Sequence, residues 1–369
     1  MDTKTSNEIA AAVADADRLL IVAAAGLSIS THLPNNPYHN PHDFALHYPR
    51  LGAYGYRTSY ECMGIGRDPN VPDSIKKALT ARHFLNMRWN FPPTAAYTWL
   101  HELSETFMPG DVFAWTSNVD GCFVRSGFDK DHVYTTQGQM DKMQCGACSS
   151  VFENEQQLRA IDAASPDGEL TDMSLAMRCP SCGSQDNILP NLRGGDWFIH
   201  APYQPTQERL LAWLDEAISK KLRVAVLEIG VGPNTPVVTR TPAAAFATAL
   251  GTAGGAVTFV RVNPDRAEED YGPRGDIPQA SGVAYYRWRA GWDALKPMLD
   301  AATVARAARR AGEQDKEGQR VEHVVTITGV GAPGSAAEGG EDAERVVEAR
   351  QWQERYHRIM QSLRTPRCR

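Results

Sequence analysis

Five largely apolar runs constrain this chain more than any other feature: LLIVAA (19–24), VFAWTS (112–117), VYTTQ (133–137), RVAVLEIG (223–230) and AVTFVRVN (256–263). They are short and lack apolar–polar alternation, which is the pattern of strands covered on both faces. Helical stretches lie between them: EIAAAVADADR (8–18), TAAYTWLHELSETF (94–107) and PTQERLLAWLDEAISK (205–220). Buried strands alternating with helices imply an α/β fold, a Rossmann-like parallel sheet with helices on both faces. Ligands of such sheets bind beyond the carboxyl ends of the strands. The polar residues at those ends are therefore the candidates: Ser28, Asn118, Asp120, Gln137, Asn234 and Asn263.

With 369 residues, 42% of them hydrophobic, the chain can bury one large core or two smaller ones. A net charge of −6 without a basic run before the tail argues against a nucleic-acid binder. The most apolar segment, LLIVAAAGL (19–27), is too short to cross a membrane, and the acidic, polar residues 1–18 do not read as an export signal. A cytoplasmic protein is expected. The alternation defines a domain over 1–300, interrupted by a helical and loop module at 34–92 and a cysteine module at 140–195. Residues 301–369 form an extension with a linker-like segment at 329–344 and a helical pattern at 344–364.

Four of the seven cysteines form two pairs, Cys145-Gly-Ala-Cys148 and Cys179-Pro-Ser-Cys182, thirty residues apart. Each pair can present two thiolates from a tight turn, and together they make a tetrahedral zinc site. All four positions are cysteine, so no coordination position stays open and the zinc is structural. Cys62, Cys122 and Cys368 are left over.

Taken in order, these landmarks resemble the sirtuins. Ala24-Ala25-Gly26-Leu27-Ser28 matches that family's GAGxS turn, and Ser117-Asn118-Val119-Asp120 its QNxD strand end. Gln137-Gly138 stands at its HG, Gly230-Val231-Gly232 at its GTS, and Asn263 at a strand-end asparagine. The order holds over about 8–300. The departures are similar to the macrodomain-linked (class M) branch: TSNVDGCFVRSGFDK (116–130), Thr136-Gln137-Gly138, Asn191-Leu192-Arg193, ELGVGxNTP-like residues 228–236 and the aromatic insertion 43–64. Ala24 replaces a usual glycine and narrows the turn slightly.

The resemblance implies NAD as co-substrate and zinc as structural metal. It implies cofactor contacts from Ala24, Ala25, Gly26, Ser28, Ser117, Asn118, Asp120, Gln137, Gly230, Gly232, Asn234, Thr235 and Asn263, with Asn118 on the nicotinamide ribose and Asp120 on the carboxamide. Asn118, Gln137 and Asp120 are the expected catalytic residues. Turn chemistry at a strand end is the alternative for Asn118 and Asp120. A sirtuin deacylase needs a histidine base where Gln137 stands, and an amide cannot take up a proton. The acyl-peptide edge is altered too: LPNLRGGDWFIHAP (189–202) carries Gly194, Gly195 and Asp196, and NNPYHN follows Pro34. The expected activity is NAD-dependent protein ADP-ribosylation. The implied partners are an acceptor, lipoylated or not, of the glycine-cleavage H-like carrier type, and a macrodomain hydrolase. The alternatives are an NAD-dependent deacylase or delipoylase, and an NAD or ADP-ribose binding module or NAD-consuming defence protein.

Overall fold

The computed structural model describes residues 3–29, 40–195, 197–232, 237–263, 278, 280–288, 295–323, 354, 356 and 358–361. Its larger sheet runs β3-β2-β1-β7-β8-β9. The strands are β1 (Arg18–Ala23), β2 (Val112–Thr116), β3 (Val133–Thr135), β7 (Arg223–Ile229), β8 (Ala256–Val262) and β9 (Val283–Trp288). The pairs β1·β7, β7·β8 and β8·β9 are parallel. The smaller, antiparallel sheet has the order β5-β4-β6, from β4 (Gly138–Cys145), β5 (Val151–Glu153) and β6 (Ile188–Leu192). Among the described residues no helix is long and apolar enough to cross a membrane.

By internal contacts the chain divides into two units. The first comprises 1–23, 98–115 and 208–365. It holds helix α1 (Thr3–Ala14), most of α8 (Gln204–Ser219), α9 (Arg240–Thr252) and α10 (Lys296–His323). All six residues of β1 are buried. Its one charge, Arg18, is accommodated by donating to the Trp213 carbonyl (2.8 Å) and lying 5.0 Å from the Trp213 ring. In the sheet interior, Glu228 and Arg261 face each other across β7 and β8 as a two-pronged ion pair, both essentially inaccessible to solvent. Arg306 of α10 donates to the Ala14 carbonyl (3.0 Å) and stacks on Phe107.

The second unit comprises 24–97 and 116–207. Helices α2 (Ala25–Ser28), α3 (Pro41–His47), α4 (Asp73–Leu85), the start of α5 (Ala95–Ser104), α6 (Cys122–Arg125) and α7 (Glu155–Ala163) lie here. Helix α3 starts where Asn40 accepts from the His42 amide (3.0 Å) and Pro41 takes the first turn. Phe84, Leu85, Met140, Met143, Leu158 and Ile161 pack α4, β4 and α7 into one apolar cluster. A second cluster joins Phe44, Tyr48, Leu51 and Ile75.

Several elements differ from the sequence expectations. The helix expected over 8–18 ends at Ala14, because Asp17 turns aside to receive the Arg223 amide (2.9 Å) at the mouth of β7. The run 133–137 splits: β3 stops at Thr135, and Gly138, at φ +88°, starts β4 in the other sheet. Helix α9 was not anticipated. Its alanines are buried on every side, so no amphipathic stripe marks it. Residue 300 falls inside α10. Within 34–92, residues 40–92 form helices and tight turns, closing with a π-helical turn at Asn86–Asn90, whereas 34–39 lie outside the described residues. So does the segment 329–344, while residues 354, 356 and 358–361 are helical.

Candidate functional site

In the second unit, three separated segments bring polar side chains to one point. Ser28 Oγ donates to Asp120 Oδ2 (2.6 Å) and lies 2.7 Å from the Tyr97 hydroxyl. Asn118 Nδ2 lies within hydrogen-bond distance of the Ala24 carbonyl (3.0 Å), Tyr97 Oη (3.0 Å) and Ser28 Oγ (3.2 Å). Proton counting orders the network: with Ser28 donating to Asp120, the Tyr97 hydroxyl donates to Ser28. Burial and the Asp120 charge push the Tyr97 hydroxyl well above its ordinary range, so it keeps that proton. Tyr97, Asn118 and Asp120 are all buried.

Turn chemistry is present as well. Thr116 Oγ1 accepts from the Asn118 amide (2.9 Å), and Asp120 Oδ1 from the Cys122 amide (2.9 Å). These bonds fix the loop without consuming the whole Asn118 side chain. Among the described residues, Asn118 Oδ1 accepts no hydrogen bond, so it is free to meet a ligand hydroxyl. The loop is braced at Gly121, φ +70°, where a Cβ would come within 2.7 Å of Arg88 Cζ. Arg88 in turn bonds Asp141 (3.0 Å). Ala24, the departure in the small-residue turn, has φ −137°, an extended conformation open to any residue. The substitution is therefore free of backbone strain.

Gln137 sits on the same unit, half-buried. Its carbonyl accepts from the Arg193 amide (3.0 Å). Its side-chain amide makes no hydrogen bond among the described residues, so the fold makes no use of it. Beyond Arg193 the chain folds back as an aromatic shell of Phe198, His200 and Tyr203, with Tyr134 against it. Buried amides clamp this return: Gln144 Oε1 accepts from Asn191 (2.6 Å) and from the Ile199 amide (3.1 Å), and Tyr203 donates to Asn191 (2.6 Å). The glycines of this segment serve Trp197, whose ring would lie 2.0 Å from a Cβ on Gly195. Asp196 lies outside the described residues.

Ala25 and Gly26 in α2 and Ser117 after β2 are partly exposed beside this network. In the first unit, Gly230 (φ +64°) donates to the Val262 carbonyl (2.9 Å) and Asn263 Nδ2 to the Val231 carbonyl (3.0 Å). Among the described residues, a Cβ on Gly232 would touch nothing within 4 Å. Asn234 and Thr235 lie outside the described residues.

The four cysteines converge. Their sulfurs all lie within 4.8 Å of one another, with Cys145–Cys182 and Cys148–Cys179 each at 3.7 Å. A tetrahedron of sulfurs about 2.3 Å from zinc has an edge of about 3.8 Å, so the set fits that metal. The two knuckles have one backbone design. The Cys145 and Cys179 amides donate five residues ahead, to Ser150 and Ser184, and their carbonyls accept from Ser149 and Gly183. Both Ser149 (φ +57°) and Gly183 (φ +75°) are left-handed. The Ser150 hydroxyl, 3.2 Å from both Cys148 and Cys179, lowers both thiols, Cys179 to about 6, whereas the neighbouring thiols hold Cys182 up, so the protons of the set are shared unequally when no metal is bound.

Sequence reasoning missed Tyr97, Arg88 and the 198–203 shell. None belongs to a spaced motif, and only the glycine at 121 beside the strand end hinted that something large packs there.

No protein-family profile matches the chain. Over 241 residues, 62% of this chain, it is 31% identical to a protein of Fusarium oxysporum f. sp. cubense named a probable bifunctional ADP-ribose hydrolase/ADP-ribosyltransferase. That match spans 38% of the relative's length. Among solved structures the chain is similar to a Sir2 homologue–NAD complex (18% identity, 83% of this chain and 95% of that one, TM-score 0.44). It is also similar to Sir2Af2 bound to a myristoylated histone peptide (17% identity, 84% and 100%, TM-score 0.45).

Proposed function

We propose that this chain is a sirtuin-type, NAD-dependent protein ADP-ribosyltransferase. The observation that carries the reading is Gln137, whose side-chain amide is unused by the fold and stands where deacylation requires a base. NAD is the substrate. Asn118 Oδ1 would receive a hydroxyl of the nicotinamide ribose, and Asp120, polarised by Ser28, would hold the carboxamide. The Gln137 amide would orient ribose hydroxyls and stabilise the electron-poor C1′ as nicotinamide departs. Without a base there, the acyl-transfer steps of a deacylase stall while cleavage of the glycosidic bond continues. The name of the fungal relative supports transfer of ADP-ribose, and its bifunctional name suits a hydrolase acting in reverse, here as a macrodomain partner. The acceptor in this reading is a carrier of the glycine-cleavage H-like type, lipoylated or not.

The test is incubation of the full chain with labelled NAD and lipoylated or unlipoylated carrier, alongside acetyl- and lipoyl-lysine peptides. Label on the carrier with inert peptides is the expected result. Peptide deacylation without labelled carrier overturns it in favour of a second reading, deacylation. That alternative draws on β6, an edge strand of its sheet through Leu192, which offers backbone groups to an added peptide strand. NAD binding without nicotinamide release would instead mark a binding module.

A further inference from the structure

We propose that His200 is the proton acceptor for the incoming nucleophile in this transfer, the role the amide of Gln137 cannot fill. The proposal rests on the transferase reading. In the step, the C1′–N bond of NAD breaks and its electron pair leaves with neutral nicotinamide. The lone pair of the acceptor X–H forms the new C1′–X bond, and the proton of X–H passes to His200 Nδ1.

Geometry places His200 in the neighbourhood of Gln137. Tyr134, three residues before Gln137, has its hydroxyl 3.3 Å from His200 Nε2, with the rings edge-on at 6.4 Å. Phe198 approaches both Gly138, the residue after Gln137, and His200. Its ring edge is 3.1 Å from where a Cβ on Gly138 would be, and its centroid is 6.1 Å from that of His200. Arg193, bonded to Gln137 through its backbone, sets its guanidinium 5.2 Å from the Phe198 ring.

The chemistry suits the role. Among the described residues, the groups facing His200 are Tyr134 on β3, Arg193 after β6, and Tyr203 with Phe198 on its own return segment, and none of these is a carboxylate. Burial, and then the Arg193 charge, lower the His200 pKa, so the ring is neutral at physiological pH. Burial holds the Tyr134 hydroxyl up at about 12, so it remains an O–H group. With Nε2–H donating to the Tyr134 oxygen, Nδ1 keeps its lone pair for the substrate proton. The same nitrogen would sit half-buried in a purely structural aromatic cluster, and the experiment separates the two roles.

NAD cleavage by the full chain is run with methanol, which must lose a proton, and with azide, which carries none. Products are partitioned as methyl- and azido-ADP-ribose. Both arise after nicotinamide departure, so their ratio isolates the second step. His200→Gln is expected to raise the azide-to-methanol ratio by about a hundredfold, within the range of general-base contributions. The wild type supplies a check that needs no folded variant. His200 is held below the ordinary histidine value of about 6.5, so between about pH 8 and about pH 4.5 methanol trapping should fall at the acid end as His200 protonates, while azide trapping changes far less. An unchanged ratio in His200→Gln, or equal loss of both products, overturns the proposal, as does a flat wild-type methanol profile. Absence of any NAD cleavage by the wild type instead overturns the transferase reading on which the proposal stands.

Discussion

The cysteine cluster and the Ser28–Tyr97–Asn118–Asp120 network are both convergence points, yet they are built in opposite ways. The cluster draws on two local pairs, each shaped by its own turn, and two of its four ligands, Cys148 and Cys182, are exposed. The apolar cluster of Met143, Ala176 and Met177 lies beside its buried half, Cys145 and Cys179, and the metal ties the two knuckles together on the exposed side. The network draws one or two groups from each of three segments and is buried within hydrogen bonds that would form without any ligand. One region depends on something from outside the chain to be ordered; the other is ordered in advance of what it binds. That is the division expected of a staple and of a preorganised reaction site.

Metal removal should separate the two regions most sharply. Cys179→Ser, or a strong chelator, is expected to melt β4–β6 by removing a contribution on the order of 10 kcal/mol in zinc-dependent domains. Hydrogen exchange should show protection lost in residues 138–192 and retained in β7 and β8, and metal analysis should fall from about one equivalent to none. Loss spread evenly over both units would mean that the module is no separate staple.

The cluster was legible because its ligands come as spaced pairs, and the knuckle is a local structure. The strand ends were legible for a related reason: a buried run announces itself, and its last polar residue is where ligands sit. Asn118, Asp120 and Ser28 were found that way. Tyr97 was not, because a tyrosine on an apolar helix gives no sign of which neighbour its hydroxyl reaches. Helix α9 escaped because burial on all sides erases periodicity, and β9 because VAYYRW mixes exposed and buried residues without strict alternation.

The network can be challenged next. Asn118→Ala leaves the buried Tyr97 hydroxyl without its donor and the Ala24 carbonyl with the Leu27 amide alone, and is expected to cost about 1–3 kcal/mol in stability. It should also reduce nicotinamide release below detection, read by product analysis beside thermal unfolding. Release near the wild-type rate would make the network merely structural.

Gln137→Ala should do the reverse. Its side chain holds nothing in place, so the unfolding midpoint should stay unchanged while the rate drops by about tenfold to a thousandfold. A loss of stability matching the loss of rate would move Gln137 to the structural side. Gln137→His should not produce an efficient deacylase, since the clamped 193–200 return stays in place; peptide assays check this.

The smallest effect is a pH response in neither region. His83, whose Nδ1 meets the Tyr48 hydroxyl at 3.0 Å, is lowered by burial to about 4. Its unfolded value is near 6.5, so between those limits the unfolded chain binds the extra proton. Stability is full above about 6.5 and falls as pH drops toward 4, by about 1–3 kcal/mol with part of the ring open to water. Denaturant midpoints should show this slope in the wild type and a flatter one in His83→Gln.

The Glu228–Arg261 pair has a consequence for how the chain finds its sheet. Strands β7 and β8 are otherwise runs of interchangeable apolar side chains, and such runs can pair at neighbouring offsets with nearly equal contentment. A slip by one residue would turn one charge of the pair to the opposite face and part it from the other inside the sheet. The pair therefore acts as a proofreading mark during assembly: wrong alignments are expelled, whatever its net contribution once the right one is reached.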